Sequence, residues 1–314
     1  MGFFDWFKPR PTIDAALRAK IDQAAQAIDP LIRQIAGYER RLAPAVEHAL
    51  AHCSDIARDI PGPYEISRAA FATDPLVHAL FGSADAIDQM FATSQCVREH
   101  FAQMTLESDQ CCALLGMRLH EKPGFGAQLE GEIVHADVPQ RALYFTDHTL
   151  AEPAPDEAAA RQRLSDALFD GLIKAIVEHV ADVRAERADL DQAKAIAEAR
   201  LRAGQATAVH TRRLASLQER LAATRDALQP QRLLETLTAS LNAPDTLLHL
   251  EPIELCVDRT GIIRGGEAAG DVLRFARLTT RDPRHWIVLL ARLDHADVRC
   301  ALERFETARH FIVI

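Results

Sequence analysis

Histidines four apart on a helix can share a metal ion, and the stretch HALAH offers such a pair, His48 and His52, with Cys53 beside them. A two-histidine site still needs a third ligand, and HExxH is absent because Glu47 precedes the first histidine instead of following it. The pair is a weak metal candidate, and no metal or cofactor is assigned from it. FTDHTL sets Asp147 beside His148 near a strand end, but strand neighbours face opposite sides, so this Asp cannot orient this His as a triad requires. No GxSxG elbow completes such a site. GIIRGGEAAG, residues 261 to 270, fits neither GxxxxGK[ST] nor GxGxxG and reads as a flexible connection between strands. The cysteines, Cys53, Cys96, Cys111, Cys112, Cys256 and Cys300, form no CxxC pair, so they read as buried reduced thiols and not as a zinc ribbon or a disulfide framework.

Two stretches suit binding better than catalysis. Phe3, Phe4, Trp6 and Phe7 crowd the opening MGFFDWFKPRP, with Lys8 and Arg10 following, although aromatics make up only 6% of the chain. Aromatic rings with a basic flank fit a peripheral foot at an anionic membrane surface or a docking peptide on a partner, and they fit equally a staple packed onto the first helices. Myristoylation does not account for Gly2, because Trp6 occupies the position where Ser or Thr is needed. A foot this short binds weakly alone, so self-association would strengthen it through avidity.

The second stretch spans residues 198 to 232, where Arg200, Arg202, Arg212, Arg213, Arg220, Arg225 and Arg232 face only Glu198, Glu219 and Asp226. The first five are the expected contacts to an anionic partner. The whole chain carries a formal charge of −9, which argues against general nucleic-acid binding, and few aromatics accompany these arginines. A solvated helix face is the competing explanation.

The elements that must hold these residues are mostly helical. From Thr12 the apolar positions Leu17, Ile21, Ala24, Ile28, Leu31, Ile35, Tyr38 and Leu42 alternate at spacings of four and three, a heptad-like seam. Asp29 with Pro30 suits a restart, and Pro44 predicts a kink or a second one. Shorter helices follow, opened by Asp74 with Pro75 and by Ser83. After residue 108 the segments CALLGMRLHE, AQLEGEIVHA and RALYFTDHTL, separated by PGFG and DVPQ, read as a three-stranded antiparallel meander. A helical stretch covers most of residues 156 to 228, as one helix or as a hairpin at Gly204. Further strands follow around TLLHLEPIELCVD, DVLRFARLTT and HWIVLLARL, and a last helix near 296 to 309 leads to FIVI, which must dock as a strand or in a groove.

The expected fold is α+β and predominantly helical, with a helical N-terminal bundle, an antiparallel sheet assembled from two strand groups, and a long coiled-coil-like insertion. The expected division is 1–11 as an aromatic segment, 12–107 as the bundle, 108–150 plus 245–314 as a composite sheet domain, and 156–242 as a helical arm. No apolar run reaches the roughly 20 residues that cross a bilayer, and no signal peptide is visible, so the expected compartment is the cytoplasm. Helical seams, an aromatic terminus and missing catalytic motifs point to a non-enzymatic scaffold or adaptor. Its expected partners are itself, another protein and an anionic membrane surface. The alternatives are an enzyme or ligand-binding protein, if His120, Asp147, His148, Arg259 and His285 converge in the composite sheet, and nucleic-acid binding through the basic arm.

Overall fold

A computed structural model describes residues 13–103, 109–130, 133–203, 208–264, 270–281 and 285–312. Phe3, Phe4, Trp6, Phe7 and Lys8 lie outside the described residues. The fold is α+β and predominantly helical, with one antiparallel sheet built from two groups of strands and a long helical insertion between them.

The chain forms two compact units. One comprises residues 1–52 and 169–247, the other 53–168 and 248–314. The N-terminal helices, expected as a single bundle over 12–107, are therefore shared between the two.

In the first unit, α1 (Ala15–Ile28) ends where Asp29 turns extended, accepts the Leu31 amide at 2.9 Å and starts a 3-10 turn, Pro30–Gln34. The expected seam slips there: Ile32 is fully buried while Leu31 is 48% exposed. Contrary to expectation, Pro44 does not restart the next helix, and α2 (Tyr38–Asp59) runs through it. Pro44 sits on an exposed face in the second turn, so the carbonyl that loses its bond can turn to water. Helix α7 (Glu157–Arg202) enters this unit at Phe169, and Arg184 donates to the Ile28 carbonyl at 3.1 Å, tying α7 to the end of α1. α8 (Ala208–Ala227) lies back along α7: Leu190 and Ala197 bury against Leu217 and Leu221, and Arg220 meets Glu186 at 2.6 Å. The arm is a hairpin, not a single helix. α9 (Pro230–Asn242) closes the unit, burying Leu233, Leu234, Leu237 and Leu241. The seams that suggested self-association are thus largely buried within the chain itself.

The second unit carries β1 (Tyr64–Glu65), the helices α3 (Arg68–Thr73), α4 (Pro75–Leu80), α5 (Ala84–Thr93) and α6 (Gln95–Gln103), and strands β2 (Gln110–Glu130) and β3 (Ile133–Ala154). After the insertion come β4 (His249–Val257), β5 (Asp271–Thr279), β6 (Trp286–Asp294) and α10 (His295–Ile312). The expected three-stranded meander is instead a hairpin of two very long strands. PGFG and DVPQ, read as turns, lie inside it, with Phe125 opposite Pro139. The ladder shifts register at three places, and each time β3 holds the extra residue: Asp137, Asp147 and Glu152 lie there at φ 61°, 57° and 52°. These are bulges, and each bends β3 and increases its twist. The sheet runs β3-β2-β6-β5-β4, so the two strand groups join at the β2–β6 pair, and β1 adds to β6 in parallel.

Bending brings the two ends of this path within reach of one connection. The segment after β4 bridges β3 through Ala142 and Ile262, with the Leu143 amide donating to Gly261 at 2.7 Å and the Ile263 amide to Arg141 at 2.8 Å. On the inner side Phe145 meets Phe275 edge-on, among Leu115, Met117, Leu143, Leu273, Ile287 and Leu289. Asp88, nearly buried, accepts from Arg68 at 2.6 Å and from Arg304 at 2.8 and 3.0 Å, which ties α3, α5 and α10 together. α10 continues helical to Ile312, so Phe311 and Ile312 belong to a helix and not to an added strand.

Candidate functional site

Short helices and a stitched loop frame a cleft of about 710 Å³ in the second unit. One wall comes from α3 and α4. Ser67 accepts the Ala70 amide at 2.9 Å and starts α3, and Asp74 accepts the Leu76 amide at 2.8 Å, with Pro75 fixing the first turn of α4. This corner presents Thr73, Asp74, His78 and Ala79, and then Phe81 and Gly82 beyond the helix end.

That end is anchored by His148. Its ring stacks on Phe81 at 4.5 Å, and its Nε2 lies 2.8 Å from the Leu80 carbonyl. A carbonyl only accepts, so Nε2 carries the proton and donates. Burial disfavours the charged imidazole and lowers its proton affinity, partly offset by the Leu80 bond and by neighbouring Asp147.

The opposite wall is Leu143, Tyr144 and Phe145 from β3, Leu273 and Asp271 from β5, and the run Val257 to Gly261. That run is held by one carboxylate. Asp258 Oδ1 accepts from the Thr260 amide (2.8 Å), the Thr260 hydroxyl (2.6 Å) and the Ile262 amide (3.1 Å), while Oδ2 takes both Nε and Nη2 of Arg264, at 2.9 and 2.6 Å. Gly261 completes the turn at φ 79°, a conformation glycine adopts without strain. The part of GIIRGGEAAG up to Arg264 is therefore tied down, not flexible. Residues 265–269 lie outside the described set.

Burial opposes ionisation of Asp258, but the Thr260, Ile262 and Arg264 bonds outweigh it and hold the carboxyl at about 2, below its ordinary 3.8. A depressed folded-state pKa contributes stability that is complete above the ordinary value and lost as pH falls toward 2. Asp258→Asn is thus expected to cost about 1–2 kcal/mol at pH 7, after allowing for solvent screening, and much less at pH 2.5. Urea unfolding at the two pH values measures this, and an equal loss at both would refute the clamp.

The cleft floor is apolar and its rim polar. Thr73, Tyr144, Arg259, Thr260 and Asp271 ring the mouth. Among the described residues Arg259 has no carboxylate within ion-pair distance. Tyr144 is 45% exposed and stacks on His120 at 5.0 Å. Three titratable groups of the lining are engaged: Asp258 is committed to Arg264, Asp74 caps α4, and His78 leans on Phe71 with Nδ1 3.3 Å from its carbonyl.

The residues expected to converge do not. His120 pairs with Thr146 (2.9 Å), Asp147 lies 3.2 Å from Arg118, His148 holds Leu80, and His285 reaches Thr279 at 3.4 Å. Arg259 alone lines the cleft. His48 and His52 gain no third ligand: among the described residues no three His, Cys, Asp or Glu gather into a metal site. Of the basic arm, Arg220 is taken by Glu186, whereas Arg200, Arg202, Arg212 and Arg213 are exposed. Burial raises the Cys111 thiol to about 12, with Cys112 and Cys96 adding to the effect, so it is no nucleophile at neutral pH.

In the sequence DRTG, residues 258 to 261, has only the composition of an ordinary turn. An Asp whose side chain caps its own turn, followed by an arginine free to leave it, was the available signal for the site. Compared with family models, curated proteins and solved structures, the chain matches none. No described helix is long and apolar enough to cross a membrane.

Proposed function

We propose that this protein is a non-enzymatic binding protein whose second unit takes a compact acidic amphiphile in the cleft between α3–α4 and the stitched edge of the sheet. The observation that carries this reading is a cleft of about 710 Å³, with buried Leu143, Phe145 and Leu273 in its lining and an exposed Arg259 that has no carboxylate within ion-pair distance among the described residues. That volume lies within the range of small-molecule sites, and such sites combine apolar walls with a few placed polar groups. Leu143, Phe145 and Leu273 would take the apolar body, Arg259 the acidic head, and Tyr144 and Thr73 its remaining hydrogen bonds. With Asp258 and Asp74 committed to Arg264 and to the start of α4, the cleft suits holding a ligand better than transforming it. The wider role of scaffold or adaptor fits a protein that couples such a receptor to a helical arm.

Anilinonaphthalene sulfonate, an apolar ring system with one acidic group, is a direct probe. The native protein is expected to bind it saturably, with octyl sulfonate competing and octylammonium not. Arg259→Ala should weaken binding by about tenfold or more, the loss of one charge-assisted contact. Ala79→Phe should block it by filling the cleft. Both variants should melt like the parent. Unsaturable binding, or an unchanged affinity in Arg259→Ala, would overturn the proposal.

A further inference from the structure

The helical hairpin divides electrically along its length. In its shaft, cations meet carboxylates: Arg220 with Glu186 at 2.6 Å, and Arg187 with Asp191 at 3.9 Å. Toward the turn this stops. Between residues 194 and 213 stand Lys194, Arg200, Arg202, Arg212 and Arg213 against Glu198 alone. Glu198 lies 3.7 Å from Lys194, and its backbone carbonyl accepts from Arg202. Among the described residues no carboxylate pairs with Arg200, Arg212 or Arg213.

The same end exposes aliphatic side chains that the hairpin's own seam does not use. Leu190, Ala197, Leu217 and Leu221 fill that seam, while Ile196 is 48% and Val209 71% exposed. Helical spacing sets each beside a cation: Ile196 shares a face with Arg200 four residues on, and Val209 with Arg212 and Arg213, three and four on. Each helix thus pairs an exposed aliphatic with uncompensated arginine near the turn, in a chain whose net charge is −9.

We propose that this end of the hairpin docks on the surface of an anionic lipid bilayer. Lipid headgroups supply the missing negative charge, and the headgroup boundary accepts Ile196 and Val209, which a phosphate backbone has no use for. Nucleic acid is the weaker fit: no Phe, Tyr or Trp lies between residues 170 and 274 to stack on bases. The docking surface shares no residue with the cleft lining or with residues 1–12.

Co-sedimentation of the full chain with phosphatidylglycerol-containing and pure phosphatidylcholine vesicles, at low and high salt, tests this. The full chain should bind the anionic vesicles only, less at high salt. Arg212→Gln with Arg213→Gln should lower partitioning about thirtyfold, the worth of two surface cations, and Arg212→Lys with Arg213→Lys should restore most of it. Ile196→Asp with Val209→Asp should also abolish binding while circular dichroism shows helicity intact. A chain lacking residues 1–11 should keep this dependence on the hairpin. Three results would each overturn the proposal: no binding by the full chain, binding indifferent to the hairpin variants, or hairpin-dependent binding to an oligonucleotide in place of vesicles.

Discussion

Alanine at position 62 is expected to destabilise the second unit by about 2–6 kcal/mol. Gly62 has φ 115°, where an L side chain is strained, at a cost of about 1–3 kcal/mol. Its Cβ would also strike the Leu290 carbonyl oxygen and lie 3.1 Å from the carbonyl carbon, adding an overpacking penalty of about 1–3 kcal/mol. The close approach has a purpose. β5 pairs with β6 only from Trp286 to Val288, and beyond it the stretch Pro61 to Ile66 takes over that edge: Leu290 donates to Pro61 at 2.8 Å, β1 pairs at Ala291 and Arg292, and Ile66 donates to Arg292. A side chain at 62 would push this segment off the sheet and leave buried amides unpaired. The urea midpoint of Gly62→Ala measures the effect; a shift worth under about 1 kcal/mol would mean that the segment moves aside freely.

The second large effect is expected at Arg161, which gathers the end of α2. Its Nη1 donates to the carbonyls of Ala57 (2.7 Å), Arg58 (3.0 Å) and Ile60 (3.1 Å), its Nη2 to Gly62 (3.1 Å), and Glu157 steadies its Nε at 2.9 Å. The last carbonyls of a helix have no partners within it and carry its partial negative charge, so a guanidinium there satisfies both needs. Arg161→Ala is expected to cost about 2–4 kcal/mol, and Arg161→Lys to recover part of it, since an ammonium has the charge but not the fork. Chemical denaturation of the three proteins decides. Because Gly62 is one of the four acceptors, the Gly62 and Arg161 losses should sum to more than the double variant shows, as expected of residues holding one segment.

Much of the architecture is legible in the sequence, and the places where it is not have physical reasons. The restart at Asp29 and Pro30 is visible because a cap and a fixed φ are local chemistry. That it makes a 3-10 turn, trading Leu31 for Ile32 in the core, depends on the packing of the whole unit. Pro123 and Gly124, like Pro139, are ordinary turn formers, yet they sit in strands because, among the described residues, the β2–β3 hairpin beyond Met117 pairs with no third strand on the β2 side, where a missing donor is tolerated. The cleft was least legible. Tyr144, Arg259, Asp271 and Thr73 come from four separate segments, and only the bridge between residues 141–143 and 261–263 brings the second of these beside the first.

The three bulges in β3 give its exposed residues an unusual status. Phe145 and Leu150 enter the same core although five positions separate them, an odd interval that plain alternation would send to opposite faces. Each bulge therefore acts as a frameshift in the strand, and the inward residues on either side are read in different frames. Asp137 and Asp147 are polar and face solvent, so by composition they belong to the most replaceable class of residue. Replacement keeps the frame, whereas deletion turns every side chain on one side of the bulge to the wrong face. The strand can vary what stands at these positions, but not whether something does.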